Sequence, residues 1–200
     1  MNILIVTAVF NPEPVVSAKL SEDLANYLST HHNVIVLAPR PSRPLGFKHS
    51  KFNMINTFKL INLKSYIHPQ SNLFGRMYES LSFGWSCKKY ISENRNSIDL
   101  IYMNSWPIFA QYLTVKAANK YSIPITTHVQ DLYPESFSTK IPQFSFFLKL
   151  IILPIDRIIL KGSNTIIAIS EKMKNYLANS RQISLKKIKV VKNWQDEEAF

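Results

Sequence analysis

Glycine is scarce: the 200-residue sequence holds four, Gly46, Gly75, Gly84 and Gly162, and none follows the first apolar run. That excludes the GxGxxG turn that admits a dinucleotide pyrophosphate, and equally the Walker-type loop that cradles nucleotide phosphates. Cysteine is scarcer still. A lone Cys87 forms no internal disulfide and no thiolate metal cluster, and reads as a small buried apolar group. No HExxH helix and no GxSxG elbow occurs, which sets aside zinc-protease and serine-hydrolase chemistry. No apolar run is long enough to span a bilayer, because residues 144–160 are broken by Lys149, Pro154, Asp156 and Arg157. The opening MNILIVTAVF lacks a basic leader, so it reads as a buried strand and the expected compartment is cytoplasmic.

Acidic residues are also few, 13 against 24 lysines and arginines, for a net charge of +11. Three of them, Asp196, Glu197 and Glu198, sit in the last five positions. Residues 140–192 hold 11 basic and 2 acidic side chains, and residues 40–89 hold 9 and 1. Such a field attracts an anionic partner: lipid headgroups, a pyrophosphate-linked substrate or nucleic acid. With 46% hydrophobic and 18% charged residues the chain is otherwise an ordinary globular protein.

What is present is a regular alternation. Ile- and Val-rich runs at residues 3–7, 34–38, 57–63, 99–104, 124–129, 165–169 and 188–191 read as strands. Between them, Leu20, Leu24, Tyr27 and Leu28 repeat at helical spacing, and Phe74, Met77, Tyr78, Leu81 and Trp85 mark one face of a long helix. Further helices open at Pro107, span residues 145–161 up to Gly162, and span residues 171–178 behind Ser170 as N-cap. Strands alternating with helices of these lengths predict an α/β fold, a doubly wound Rossmann-like parallel sheet.

In such a sheet, ligands bind beyond the carboxyl ends of the strands, near the point where strand order reverses. Polar and aromatic residues crowd five of those places: FNPEPVVSAKL, NSWP, HVQDLYPES, SE and KNWQD. His128 ends a buried strand, with Asp131 and Glu135 close behind. A histidine there can bond a sugar hydroxyl or phosphate and can titrate near neutrality; the alternative is a structural histidine bonded to its loop. Glu13, between Pro12 and Pro14, is the acid of the first turn.

Taken in order, FNPEP, VIVLAPR, NSWP, HVQDLYPES, IIAISEKMKNYL and VVKNWQD resemble the N-terminal domain of retaining glycosyltransferases of the GT-B fold, family 4. Within that family they look like bacterial enzymes of O-antigen and colanic-acid type polysaccharide assembly. The resemblance implies two Rossmann-like domains facing across a cleft, acceptor on the first and nucleotide-sugar on the second. It implies a UDP-linked donor, a lipid-diphosphate-linked glycan acceptor, retention of anomeric configuration, and no cofactor or metal. Residues 1–192 would be the acceptor-side domain. Asn193 would open the linker (residues 193–200) to an absent donor-binding domain, so that these 200 residues transfer no sugar alone.

His128, by the same resemblance, and Asp131, which could instead simply brace its loop, are the catalytic candidates. Glu13, Asn104, Ser105, Trp106, Glu135, Ser170, Glu171 and Asn193 are the substrate-binding ones, with Trp106 offering a stacking face and residues 170–171 a helix N-terminus for an anionic group. One departure is that Val15 and Val16 stand where the family often carries glycines, which puts close approach of a donor phosphate to that turn in doubt. A lipid-linked acceptor lies in the bilayer interface, so the protein is expected peripheral on the inner face of the cell membrane. Phe144, Phe147 and Lys149, or Trp85, Lys88 and Lys89, would touch an anionic membrane surface. Two rivals remain at this level: a basic module binding nucleic acid or an anionic polymer, and half of a sugar-nucleotide epimerase.

Overall fold

The computed structural model describes residues 1–42, 57–68, 73–104, 107–133, 135 and 145–193, the side chains of 73 and 145–149 excepted. Among these, seven strands form one wholly parallel sheet: β1 (Asn2–Val6), β2 (Asn33–Pro39), β3 (Lys59–Leu63), β4 (Leu100–Asn104), β5 (Ile125–Val129), β6 (Thr165–Ala168) and β7 (Ile188–Val190). Their spatial order is β3-β2-β1-β4-β5-β6-β7, so the chain reverses direction across the sheet between β1 and β4. The connecting helices include α1 (Val16–Ser29), α2 (Leu73–Glu93), α3 (Ile108–Lys120), α4 (Ser145–Gly162) and α5 (Glu171–Arg181).

The central strands β1, β2 and β4 are mostly apolar because both sheet faces are covered. Side chains alternate faces along a strand. Ile3, Ile5, Val34, Val36 and Tyr102 pack with Ala25 of α1, together with Phe10 and Phe58. Leu4, Val6, Ile101, Met103 and Ile125 point the other way, against Phe83, Cys87 and Ile91 of α2, Val115 and Ala118 of α3, and Ile152 and Ile159 of α4. Burial of Cys87 pushes its thiol up, so it stays protonated and inert.

Helix α2 carries the apolar face read from its sequence. Its apolar residues Phe74, Tyr78, Leu81 and Trp85 do share a face, but that face points outward, with Phe74 81% and Trp85 59% exposed. The buried face carries Gly75, Ser80, Phe83, Gly84, Cys87 and Ile91. Small residues serve there because α2 and α3 approach closely: a Cβ on Gly84 would stand 2.7 Å from the Cα of Ala110. Ser80 Oγ also accepts hydrogen bonds from the backbone N–H groups of Phe109 (3.0 Å) and Ala110 (3.1 Å). Those are first-turn donors of α3 that Pro107, as N-cap, leaves without a side-chain cap. Tyr27 of α1, read as part of an apolar repeat, is likewise 73% exposed.

Candidate functional site

Because every strand is parallel, the segments after β1, β4, β5, β6 and β7 all leave one edge of the sheet. The switch point on that edge is closed by a buried polar knot. Asn104, at the end of β4, donates from Nδ2 to Thr7 Oγ1 (3.1 Å) and Ser21 Oγ (2.8 Å), and its carbonyl accepts from Gln111 Nε2 (2.6 Å). All four residues are buried. Thus β1, α1, β4 and α3 are tied together below the rim, and Asn104 forms a rigid floor.

His128 stands directly beside Asn104 in the β4–β5 register, and Tyr102, two residues back on β4, reaches it. Its ring is only 2% exposed, tucked under the rim on the α1 face rather than lying open in a groove. The Tyr102 hydroxyl and His128 Nδ1 share a hydrogen bond of 2.5 Å, while Nε2 is buried with no hydrogen-bond partner among the described residues. Burial pushes the imidazole down from 6.5 to about 4, and pushes the Tyr102 phenol up, so both are neutral at neutral pH. A neutral ring whose Nδ1 is oriented by one partner presents Nε2 in a defined state, as either donor or acceptor according to tautomer. Three residues on, Asp131 is exposed at the rim.

Several other expected substrate contacts have intramolecular partners. Glu135 accepts from Arg181 Nη1 (2.6 Å) and Nη2 (2.7 Å) and from the Tyr176 hydroxyl (2.7 Å). Burial by itself would raise its carboxyl, but these donors outweigh it and hold Glu135 at about 2. Ser170 caps α5 as expected, its Oγ accepting from the Met173 N–H at 3.1 Å. Glu171 is exposed at the same helix end, 3.4 Å from Lys174 Nζ. A carboxylate there already complements the helix dipole, which disfavours a second anion. Glu13 is buried, and its Oε1 accepts from the Ser42 N–H at 2.7 Å, bracing the exit of β2. Asn193 is exposed beyond β7.

Ser105, Trp106 and Phe144 lie outside the described residues, as do the side chains of Phe147 and Lys149. Trp85 lies on the outward face of α2, with Lys88 Nζ 4.6 Å from its ring centroid. Lys89 pairs with Glu93 at 3.9 Å.

One wall set was not legible in the sequence. A recess opens at the carboxyl ends of β1 and β2, roofed by the segment after β3 and by α2. Ala8, Glu13, Ser65, Tyr66, Arg76 and Glu79 line it, and His128 does not. Among the described residues no group of three or more His, Cys, Asp or Glu converges as a metal site, and no helix is long and apolar enough to cross a membrane.

This seven-stranded parallel α/β fold matches half of the GT-B glycosyltransferases. The chain belongs to glycosyltransferase family 4, whose sequence profile matches residues 18–199. Among solved structures it is similar to HepE from Anabaena, crystallised with UDP and glucose (TM-score 0.61, 16% identity, 98% of this chain and 45% of that one). It is also similar to a sucrose-phosphate synthase structure from Thermosynechococcus elongatus (TM-score 0.59, 13% identity, 98% and 92%). A third likeness is to a UDP-GlcNAc 2-epimerase from Methanocaldococcus jannaschii (TM-score 0.54, 16% identity, 96% and 45%). At these identities the likeness is one of fold. The chain spans less than half the length of the Anabaena protein. A search of curated proteins finds no match.

Proposed function

We propose that this chain is the acceptor-side domain of a two-domain retaining glycosyltransferase. In this reading the protein moves a sugar from a nucleotide-linked donor, UDP-linked as in the Anabaena structure, to a lipid-diphosphate-linked glycan. The product is a bacterial surface polysaccharide of the O-antigen or lipopolysaccharide class. The family match over residues 18–199 carries the reading, and the 45% coverage of the Anabaena protein supports a second domain beyond Asn193 that holds the donor. His128 would address the reacting sugar through Nε2, with Asp131 beside it on the rim. The recess between the β1 exit and α2 is the place for acceptor groups.

The test is transfer of radiolabelled sugar from UDP-sugars into a lipid-diphosphate glycan fraction. We expect label in the lipid with the full-length protein and none with residues 1–200 alone. Turnover by residues 1–200 would sink the division of labour. An acceptor-independent epimerised nucleotide-sugar would replace the reading with the epimerase one.

Membrane contact through α2 belongs to the same reading. Phe74, Tyr78, Leu81 and Trp85 form an exposed apolar stripe, Lys88 and Lys89 follow it, and the chain carries +11. Each lysine near an anionic surface is worth about 1 kcal/mol. Full-length protein should therefore sediment with phosphatidylglycerol vesicles, and the double variant Lys88→Gln, Lys89→Gln should partition about 30-fold less. Salt at about 1 M, which shortens the Debye length to about 3 Å, should weaken binding as well. Equal sedimentation of both proteins, or indifference to lipid charge, would remove α2 from this role.

A further inference from the structure

Arg181, the last residue of α5, is 1% exposed, and every one of its five guanidinium N–H groups has a partner. Nε donates to Asp156 Oδ2 of α4 at 2.7 Å. Nη1 donates to Glu135 Oε1 (2.6 Å) and Ser180 Oγ (3.0 Å), and Nη2 to Glu135 Oε2 (2.7 Å) and the Tyr133 carbonyl. The Tyr176 hydroxyl completes the Glu135 carboxylate, and the Tyr176 ring lies 5.8 Å from the guanidinium carbon.

For stability alone a buried ion cluster is a poor device, since well-packed apolar side chains of like volume commonly do as well. The placement of the acceptors gives the cluster another meaning. The Tyr133 carbonyl and Glu135 belong to the segment that leaves β5 just after His128. Its upstream end is fixed by β5 pairing with β4 and β6. Its downstream end is fixed by Arg181, across 46 residues of sequence. Exposed Asp131 lies between these two anchors.

We propose that Arg181 is a positioning residue: it sets the path of residues 130–133 over the carboxyl edge, and so where Asp131 stands relative to His128 and bound substrate. This rests on the transferase reading of that edge. Lysine cannot substitute, because a point-like ammonium with three donors cannot span Glu135, Asp156 and the Tyr133 carbonyl in one plane.

The experiment compares the full-length protein with its Arg181→Lys variant, using transfer kinetics together with amide hydrogen exchange. We expect kcat per folded molecule to fall at least tenfold and donor KM to change less than threefold. Exchange should accelerate tenfold or more in residues 130–133, and not in β1 or β4. Unchanged kcat, or acceleration spread evenly over the sheet, overturns the positioning role. If Arg181→Lys does not fold, Tyr176→Phe removes one hydroxyl from Glu135. It should lower kcat severalfold with local exchange only, and kcat and exchange equal to the unaltered protein overturn the proposal. Absence of transfer by the unaltered protein sinks the transferase reading itself, a result distinct from loss of the Arg181 effect alone.

Discussion

Replacing His128 by alanine in the full-length protein is expected to lower sugar transfer at least about 100-fold, the usual span for a positioned hydrogen-bonding or proton-transferring side chain. The ring is buried, Nδ1 is held by Tyr102, and Nε2 lacks a partner among the described residues, so substrate reaches Nε2 only when the rim above it shifts. Undiminished transfer by the variant would remove His128 from the site.

The same residue has a stability signature. Its folded pKa, about 4, lies below the ordinary 6.5 because burial disfavours the charged ring. Between those values the unfolded chain takes up a proton that the native protein does not. Stability from this group is therefore complete above about pH 6.5 and declines as pH falls, by about 3 kcal/mol near pH 4. Urea unfolding at pH 7 and pH 4.5 should show this slope in the unaltered protein and a shallower one in His128→Gln. Equal slopes would mean the ring is not desolvated. Transfer itself should not decline through pH 6.5 on account of His128, since the bound ring is already neutral there.

Arg181→Met is expected to cost about 3–5 kcal/mol of unfolding free energy, the largest stability effect foreseen for a single residue here. The variant leaves the half-buried carboxylates of Glu135 and Asp156 without their cation, and takes a donor from the Tyr133 carbonyl. Adding Glu135→Gln and Asp156→Asn should recover a substantial part of the loss, because the penalty is uncompensated charge rather than missing volume. The pH dependence should shift too. Glu135, held at about 2, contributes stability that is present above its ordinary value near 4.5 and fades as pH falls toward 2. In Arg181→Met that acid-side loss should shrink, since only the Tyr176 hydroxyl and a backbone N–H still favour the charged carboxylate. A variant within about 1 kcal/mol of the unaltered protein, measured by urea unfolding at pH 7, would show that water already solvates the cluster.

Much of the architecture was legible before the structure. β1, β2 and β4–β7 announce themselves because a parallel strand covered on both faces must be apolar at consecutive positions. Ser170 was legible as a cap because its bond to the Met173 N–H is local. The placement of five polar segments on one edge also followed, since parallel strands separated by crossovers all exit the same way. His128 was legible as a candidate by its place at a strand end. Its burial was not, because the alternation of faces turns the ring under the rim onto Tyr102, which lies on another strand.

The remaining features depend on pairs of residues far apart in the chain. In α2 the sequence marked the apolar face but not its direction, because hydropathy counts apolar bulk whereas α3 selects for smallness: Gly84 and Ser80 face inward, and Phe74 and Trp85 face out. The recess joins Glu13, Ser65 and Arg76, and the clamp joins Glu135, Asp156 and Arg181. What the amino-acid order determined by itself was the period of each segment, hence strand, helix and the shared edge. Which side chains meet across that edge was decided by tertiary packing, because shape complementarity and charge pairing act between surfaces that no local pattern encodes.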